Sequence, residues 1–256
     1  MTSLGLFLLI LPLLVISSGE EVQEVSLDVS EVIETANAGM SSSVFQHGDI
    51  RRNLDRNADP CVASGCKWPK TGRYVYVPVS ISSAYSAEES NIIIRSLLTF
   101  HSSTCIRFVW KHSSHRNYVH FYSGTGCWSY LGRQSRGQPI SLKNKGCLYL
   151  GTVQHEVLHA LGFHHEQVRS DRDKYVSIVT ENIQRGKESN FEKVATNNLG
   201  TPYDFKSVMH YSKYAFSRNG KPTIIAKSNP NLSLGRNTEM SAHDIARVNE
   251  LYDCCE

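Results

Sequence analysis

No lysine or arginine occurs before Arg51, and only one long apolar run occurs anywhere in the 256 residues. That run, residues 4–16, is interrupted by Pro12 and followed by Ser17, Ser18 and Gly19. It has the length of a signal-peptide core and is too short to span a bilayer. The missing positive charge ahead of it departs from the usual signal pattern. No second apolar run follows that could anchor the chain, so residues 1–19 are expected to be a secretory signal. No cysteine pair has the short spacing of a thiolate zinc site. The set Cys61, Cys66, Cys105, Cys127, Cys147, Cys254 and Cys255 instead suits an oxidising compartment. Internal repeats and low-complexity linkers are absent too. About 200 residues beyond position 56 suffice for one compact domain with a core, but leave no room for an added adhesion module.

What the chain does have is the run His155-Glu-Val-Leu-His159-Ala-Leu-Gly162-Phe-His164-His165. On a helix, His155 and His159 lie four apart, so both imidazoles project from one face toward one point. Glu156 sits beside that point but is angled away, where a carboxylate can hold a water without binding a metal. Gly162 breaks the helix in a conformation that side chains disfavour, and the turn lets His165 arrive as a third nitrogen. Three neutral histidines fill three tetrahedral positions around one Zn²⁺ and leave the fourth to water, the layout of a catalytic site. A buried helix with incidental histidines is the plainer reading; the added glycine and third histidine argue against it. His164 and His210 adjoin the motifs with spacing that points them away from the metal. His101, His112, His115 and His120 read as ordinary surface or core residues.

The run continues through Glu166, Arg169 and Asp171-Arg172-Asp173, and Ser207-Val-Met209-His210-Tyr211 follows. On these motifs the chain resembles the astacin metalloendopeptidases from about Cys61 to its end. The early Cys61/Cys66 pair makes it most similar to the six-cysteine fish group of hatching enzymes (choriolysins) and nephrosin-like proteases. The resemblance implies an α+β, two-lobed metzincin domain. A twisted N-terminal sheet with two long helices would face a loop-rich C-terminal lobe with a terminal helix, with zinc in the cleft between. It implies Glu156 as general base, Tyr211 as a hydroxyl that stabilises the oxyanion, and Met209 as the Met-turn support beneath the histidines. It also implies disulfides Cys105–Cys254 and Cys127–Cys147, and Glu166 as an anchor for a newly freed N-terminal amine. Cys61 and Cys66 are close enough to close a small loop over Gly65, which leaves Cys255 over. Asp171 and Asp173 beside Arg169 and Arg172 read as a structural ion network. Asn231-Leu-Ser233 is an N-glycosylation sequon in what reads as an exposed loop.

Residues 20–40 carry Glu20, Glu21, Glu24, Asp28, Glu31 and Glu34 and no basic residue. From Asn57 onward, 24 Lys and Arg stand against 16 Asp and Glu, a formal charge of +8. Acidic head and basic body attract at long range, as a propeptide over an enzyme would, although the glutamate run alone fits a solvated tail equally. Phe45-Gln-His-Gly48-Asp49 resembles the family's latency motif, with one residue more between Phe45 and Gly48. It nominates Asp49 as the zymogen's zinc ligand. Arg51, Arg52 and Arg56 follow as processing sites, giving a propeptide of 20–56 and a protease domain of 57–256. Residues 74–81, 104–110, 118–122 and 139–142 read as strands. Ser86-Ala-Glu-Glu89 caps a helix through Ile93, Ile94, Leu97 and Leu98. The zinc helix begins at Thr152, and Ser241-Ala-His-Asp244 caps a last helix with Ile245, Val248 and Leu251 on one face.

The expected protein is therefore a secreted zymogen, held in secretory granules or released directly, that hydrolyses protein substrates after cutting by an activating protease. Egg-envelope glycoproteins are the named candidate substrate. A monomer with neither nucleic-acid nor membrane partner is expected. The alternatives are a catalytically inactive matrix-binding homologue, which an intact Glu156 disfavours, and a nephrosin-like protease of immune tissue. A purely structural zinc protein would need a closed fourth ligand in step with His165.

Overall fold

A computed structural model of the chain describes residues 28–52 and 66–254. The expected signal at 1–19, the cleavage positions Arg56 and Asn57, Cys61 with its expected bond to Cys66, and Cys255 lie outside these described residues.

Helix α1 (Val29–Ala36) opens on Asp28, whose carboxylate accepts the Glu31 N–H at 2.7 Å. The short strands β1 (Phe45–Gln46) and β2 (Ile50–Arg51) then pair antiparallel around His47, Gly48 and Asp49. The N-terminal lobe follows as β3 (Lys70–Thr71), β4 (Tyr74–Ile81), α2 (Ala87–Ser103), β5 (Ile106–Trp110), β6 (Tyr118–Tyr122), β7 (Cys127–Trp128), β8 (Gly137–Leu142) and α3 (Leu150–Leu161). β4 runs parallel to both β5 and β6, and β6 parallel to β8. β7 closes the sheet antiparallel to β8, and β3 antiparallel to β4. Alternation decides which way each strand faces. Val75, Val77, Val79, Val119, Phe121, Ile140 and Leu142 point into one core with Ile93, Leu97 and Phe100 of α2 and Val153, Val157 and Leu158 of α3. Each such side chain contributes roughly 1.5–3 kcal/mol of burial.

Helix α2 has the capping box expected at Ser86, with Glu89 reaching back to the Ser86 N–H. Its inward face is Ile93, Leu97 and Phe100. Leu98 is 51% exposed, because it lies about 100° round the helix from Leu97 and so turns away from that face. The strands expected at 104–110 and 139–142 run instead over Ile106–Trp110 and Gly137–Leu142, and the zinc helix begins at Leu150 rather than Thr152.

After Gly162 the chain is mostly 3₁₀ turns and loops around a second core of Val176, Ile183, Phe191, Tyr203, Phe216, Ile224 and Leu234. This lobe holds one small sheet of β9 (Val176–Ile178) and β10 (Ile224–Ala226) and ends in α4 (Ala242–Leu251), capped by Ser241 and Asp244. Asp244 does two jobs. Its carboxylate also accepts from Ser207 Oγ and from the Val208 N–H at 3.0 Å, tying the helix to the segment beneath the metal site. Disulfides join Cys105 to Cys254 and Cys127 to Cys147, fastening the chain end to the head of β5 and the loop before α3 to β7.

Candidate metal centre and active site

The first two histidines stand on α3, and Gly162 ends that helix with φ 111°, a left-handed conformation that costs glycine little. The turn brings in His165. His155 Nδ1–H donates to the Val208 carbonyl at 2.8 Å and His159 Nδ1–H to the Phe163 carbonyl at 2.7 Å. A carbonyl only accepts, so the Nδ1 proton is fixed and each Nε2 presents a lone pair inward.

Those lone pairs meet the Asp49 carboxylate. Oδ2 lies 3.0 Å from His155 Nε2 and 3.2 Å from His165 Nε2, and Oδ1 lies 3.5 Å from His159 Nε2. His155 and His165 Nε2 are 3.3 Å apart. All four side chains are buried, and their ligand atoms lie within 4.8 Å of one another. Ligands about 2.0 Å from a tetrahedral zinc stand about 3.3 Å from each other. Converging lone pairs against a carboxylate repel unless a cation sits among them, and Asp49 Oδ1 and His159 Nε2 have no hydrogen-bond partner. The residues fit a zinc ion. Burial alone would raise the Asp49 carboxyl, but its interactions with the facing His165, His159 and His155 rings outweigh that and hold it well below the usual range. Burial lowers His165 to about 3, leaving its ring neutral, as a metal ligand must be.

Glu156 is fully buried beside this cluster, and neither carboxylate oxygen has a partner. Burial and then the Asp49 charge push its pKa well above the usual carboxylate range. Tyr211 is also buried. Its ring centroid is 4.8 Å from that of His165, and its hydroxyl donates to the His47 carbonyl. Met209 is buried in the main core, and its carbonyl accepts the Glu166 N–H at 2.9 Å.

Segment 45–51 threads this cleft. Gly48 has φ +84°, and a Cβ there would come within 3.3 Å of the Tyr211 hydroxyl and 3.2 Å of Phe216, so only glycine fits without strain. Ile50 bridges in parallel to Ser129 beyond the end of β7, through Ser129 N–H to the Asp49 carbonyl at 3.1 Å and Arg51 N–H to the Ser129 carbonyl at 2.8 Å. The Arg51 guanidinium stacks on Trp128, 4.7 Å from the ring centroid.

Several participants left no mark in the sequence. The Asn37 side chain donates to the Gly48 and Cys127 carbonyls and accepts the Cys127 N–H, pinning α1 to the edge strand. The Val208 and Phe163 carbonyls, being backbone, carry no residue signal. Glu166 is held by Arg247, by Arg169 at 3.2 Å and by the Asp204 N–H at 2.7 Å. Asp171 pairs with Arg169, and Asp173 with Arg172 and Lys193. His210 lies outside the cluster and accepts the Tyr203 hydroxyl at 2.8 Å. Asn231 is exposed.

Three inward histidines with the Asp49 carboxylate facing them and the unpartnered Glu156 carboxylate alongside form a zinc-binding cluster. The family model for the astacin peptidases matches residues 64–253, and the chain belongs to that family. It is a zinc metalloendopeptidase, and its substrates are proteins. The chain is 43% identical over 230 residues to high choriolytic enzyme 1 of Oryzias latipes, covering 89% of this chain and 84% of that one. With the low choriolytic enzyme of the same fish it shares 40% over 242 residues, covering 93% and 89%. A solved structure of high choriolytic enzyme 1, a hatching enzyme zinc-protease, superposes with TM-score 0.74 at 46% identity, covering 77% of this chain and all of that one. Among the described residues no helix is long and apolar enough to cross a membrane.

Proposed function

We propose that the chain is a secreted zymogen of a zinc endopeptidase, with residues 20–56 as propeptide and Asp49 as the ligand that keeps it latent. The observation that carries this reading is the Asp49 carboxylate lodged among three inward Nε2 atoms. The same segment occupies the Ser129 backbone and the Tyr211 hydroxyl, so it blocks substrate pairing and oxyanion stabilisation together. An activating protease cutting between Arg51 and Asn57 would release it.

After release, His155, His159 and His165 hold the metal, which supplies Lewis-acid polarisation and lowers the pKa of a bound water. Glu156 takes a proton from the attacking water and delivers it to the leaving amine. Neither Glu156 oxygen is engaged by another side chain, so both are open to that water. Tyr211, freed from the His47 carbonyl, donates to the developing oxyanion. Met209 supports the histidines from below, and Ser129 offers its N–H and carbonyl to a substrate backbone. Egg-envelope protein is the substrate class this reading favours, on the strength of the choriolytic enzymes to which the chain is similar. Asn231 is the glycosylation site and the working form is a monomer.

The decisive experiment compares two uncut chains. Uncut wild type should be silent toward casein, whereas uncut Asp49→Ala should cleave it, since water regains the fourth position. Silence from both would replace ligation by steric cover and remove Asp49 from the ligand set.

A further inference from the structure

Between Cys66 and Tyr149 the sequence has eleven lysines and arginines, against only Glu88 and Glu89. Residues 150–254 hold thirteen against twelve. The basic surplus is thus confined to the N-terminal lobe, and both acids sit at the start of α2, on the helix-covered side of the sheet. The opposite face of the sheet is a different surface. Register places Tyr76 beside Arg107, Ser80 beside His120, and Tyr118 beside Gly137. These are the alternate positions to the core valines, and each is exposed or only partly buried.

Aromatic rings and cations alternate there. Tyr76 is 43% exposed. Arg107 lies 4.3 Å from the Tyr74 ring centroid and Lys111 lies 4.7 Å from that of Tyr118. Neither Arg107 and Lys111, nor Arg116 and Arg136 in the turns that lead into β6 and β8, pair with a carboxylate of the described residues, and Arg107 donates to the Thr104 and Ile106 carbonyls. Two rings are seated on glycine: a Cβ at Gly137 would collide with the Tyr118 ring, and one at Gly124 would come within 2.7 Å of Tyr122. Neither glycine has a positive φ, so what each position requires is the missing side chain, which lets a tyrosine lie flat. Tyr122 in turn touches Trp128 at the cleft edge, 6.0 Å between centroids.

We infer that this open face is a docking surface for an anionic polysaccharide chain, separate from the zinc cleft and leading toward it. Flat phenol rings stack on the C–H faces of sugars, and unpaired Arg and Lys bind sulfate or carboxylate groups between them. An acidic polypeptide is the less suited occupant. Extended peptides are held by free strand edges; β4 and β6 have their backbone groups engaged on both sides, and the edge that β5 leaves open lies at the margin of this face and is five residues long.

The test immobilises the full chain and measures binding of dextran sulfate, neutral dextran and poly-glutamate. Dextran sulfate should bind in a salt-sensitive way and neutral dextran should not. Lys111→Gln/Arg136→Gln should weaken dextran sulfate about tenfold, and Tyr76→Ser about threefold, whereas Arg218→Gln/Lys221→Gln, the same charge change on the other lobe, should do neither. The processed variants should keep wild-type turnover of a short peptide, which separates a failure here from a failure of the protease reading. Equal weakening by the control pair, or poly-glutamate bound as tightly as dextran sulfate, would overturn the inference.

Discussion

Replacing Arg247 with Met should strand the Glu166 carboxylate in the interior, and the cost follows from what is left around it. Arg247 donates to both Glu166 oxygens, at 2.8 Å from Nη2 to Oε1, and reaches the Pro202 carbonyl and Thr201 Oγ1, each at 2.8 Å. Glu166 is 2% exposed, so it has little water to turn to. Breaking a buried pair by removing one partner typically costs about 3–5 kcal/mol. Arg169 stays within 3.2 Å but is already shared with Asp171, at 2.9 and 3.0 Å, and the Asp204 N–H remains. Partial compensation places the expected loss near ~3 kcal/mol, with methionine filling most of the volume. Glu166 directly follows His165, so its loosening should also weaken zinc retention. Urea denaturation of the zinc-loaded enzyme gives the first quantity, and zinc release to a competing chelator the second. The double variant Glu166→Gln/Arg247→Met removes both charges and should regain about 1–2 kcal/mol over the single. A single variant within 1 kcal/mol of wild type, or a double variant no better than the sum of the singles, would refute the reasoning.

In the processed enzyme, Glu156→Gln should retain zinc by metal analysis yet lose about 10³-fold in turnover of casein. Tyr211→Phe should lower kcat about 10²-fold with KM little changed; an unchanged kcat would reduce Tyr211 to packing. His210 offers a pH test. Burial lowers it from 6.5 to about 4, and it stays neutral while donating to the Tyr211 carbonyl and accepting from Tyr203. The unfolded chain therefore binds the proton first, so stability falls as pH drops from 6.5 toward 4, by up to about 3 kcal/mol from this group. Urea midpoints at pH 7 and 4.5 should converge in His210→Gln relative to wild type; parallel losses would contradict it.

The parts of this molecule that could be read from sequence are those whose physics spans a few residues. The four-residue step from His155 to His159 is helical geometry. Gly162 at φ 111° is a local backbone requirement, and the boxes at Ser86 and Ser241 close within three residues. What could not be read is set by partners far along the chain. Glu166 meets Arg247 across 81 residues and Asn37 meets Cys127 across 90. No periodicity in either neighbourhood announces the other. The small strands β7, β9 and β10 escape for a different reason. At two or three residues they carry no alternation to detect, and their pairing comes from the lobes around them.

The same division explains how the site is built. The histidine identities are local, but their protonation pattern is not. Two Nδ1 protons are consumed by the Val208 and Phe163 carbonyls, and Val208 is positioned by Asp244 from the last helix. The closing helix thus sets the direction in which His155 presents its lone pair, through one loop residue. Arg247, one turn further along α4, restrains the residue after His165. Two of three ligands are therefore aimed in part through the last helix. A tetrahedral set needs that rigidity, because histidines free to rotate would lose metal affinity to disorder before any chemistry began.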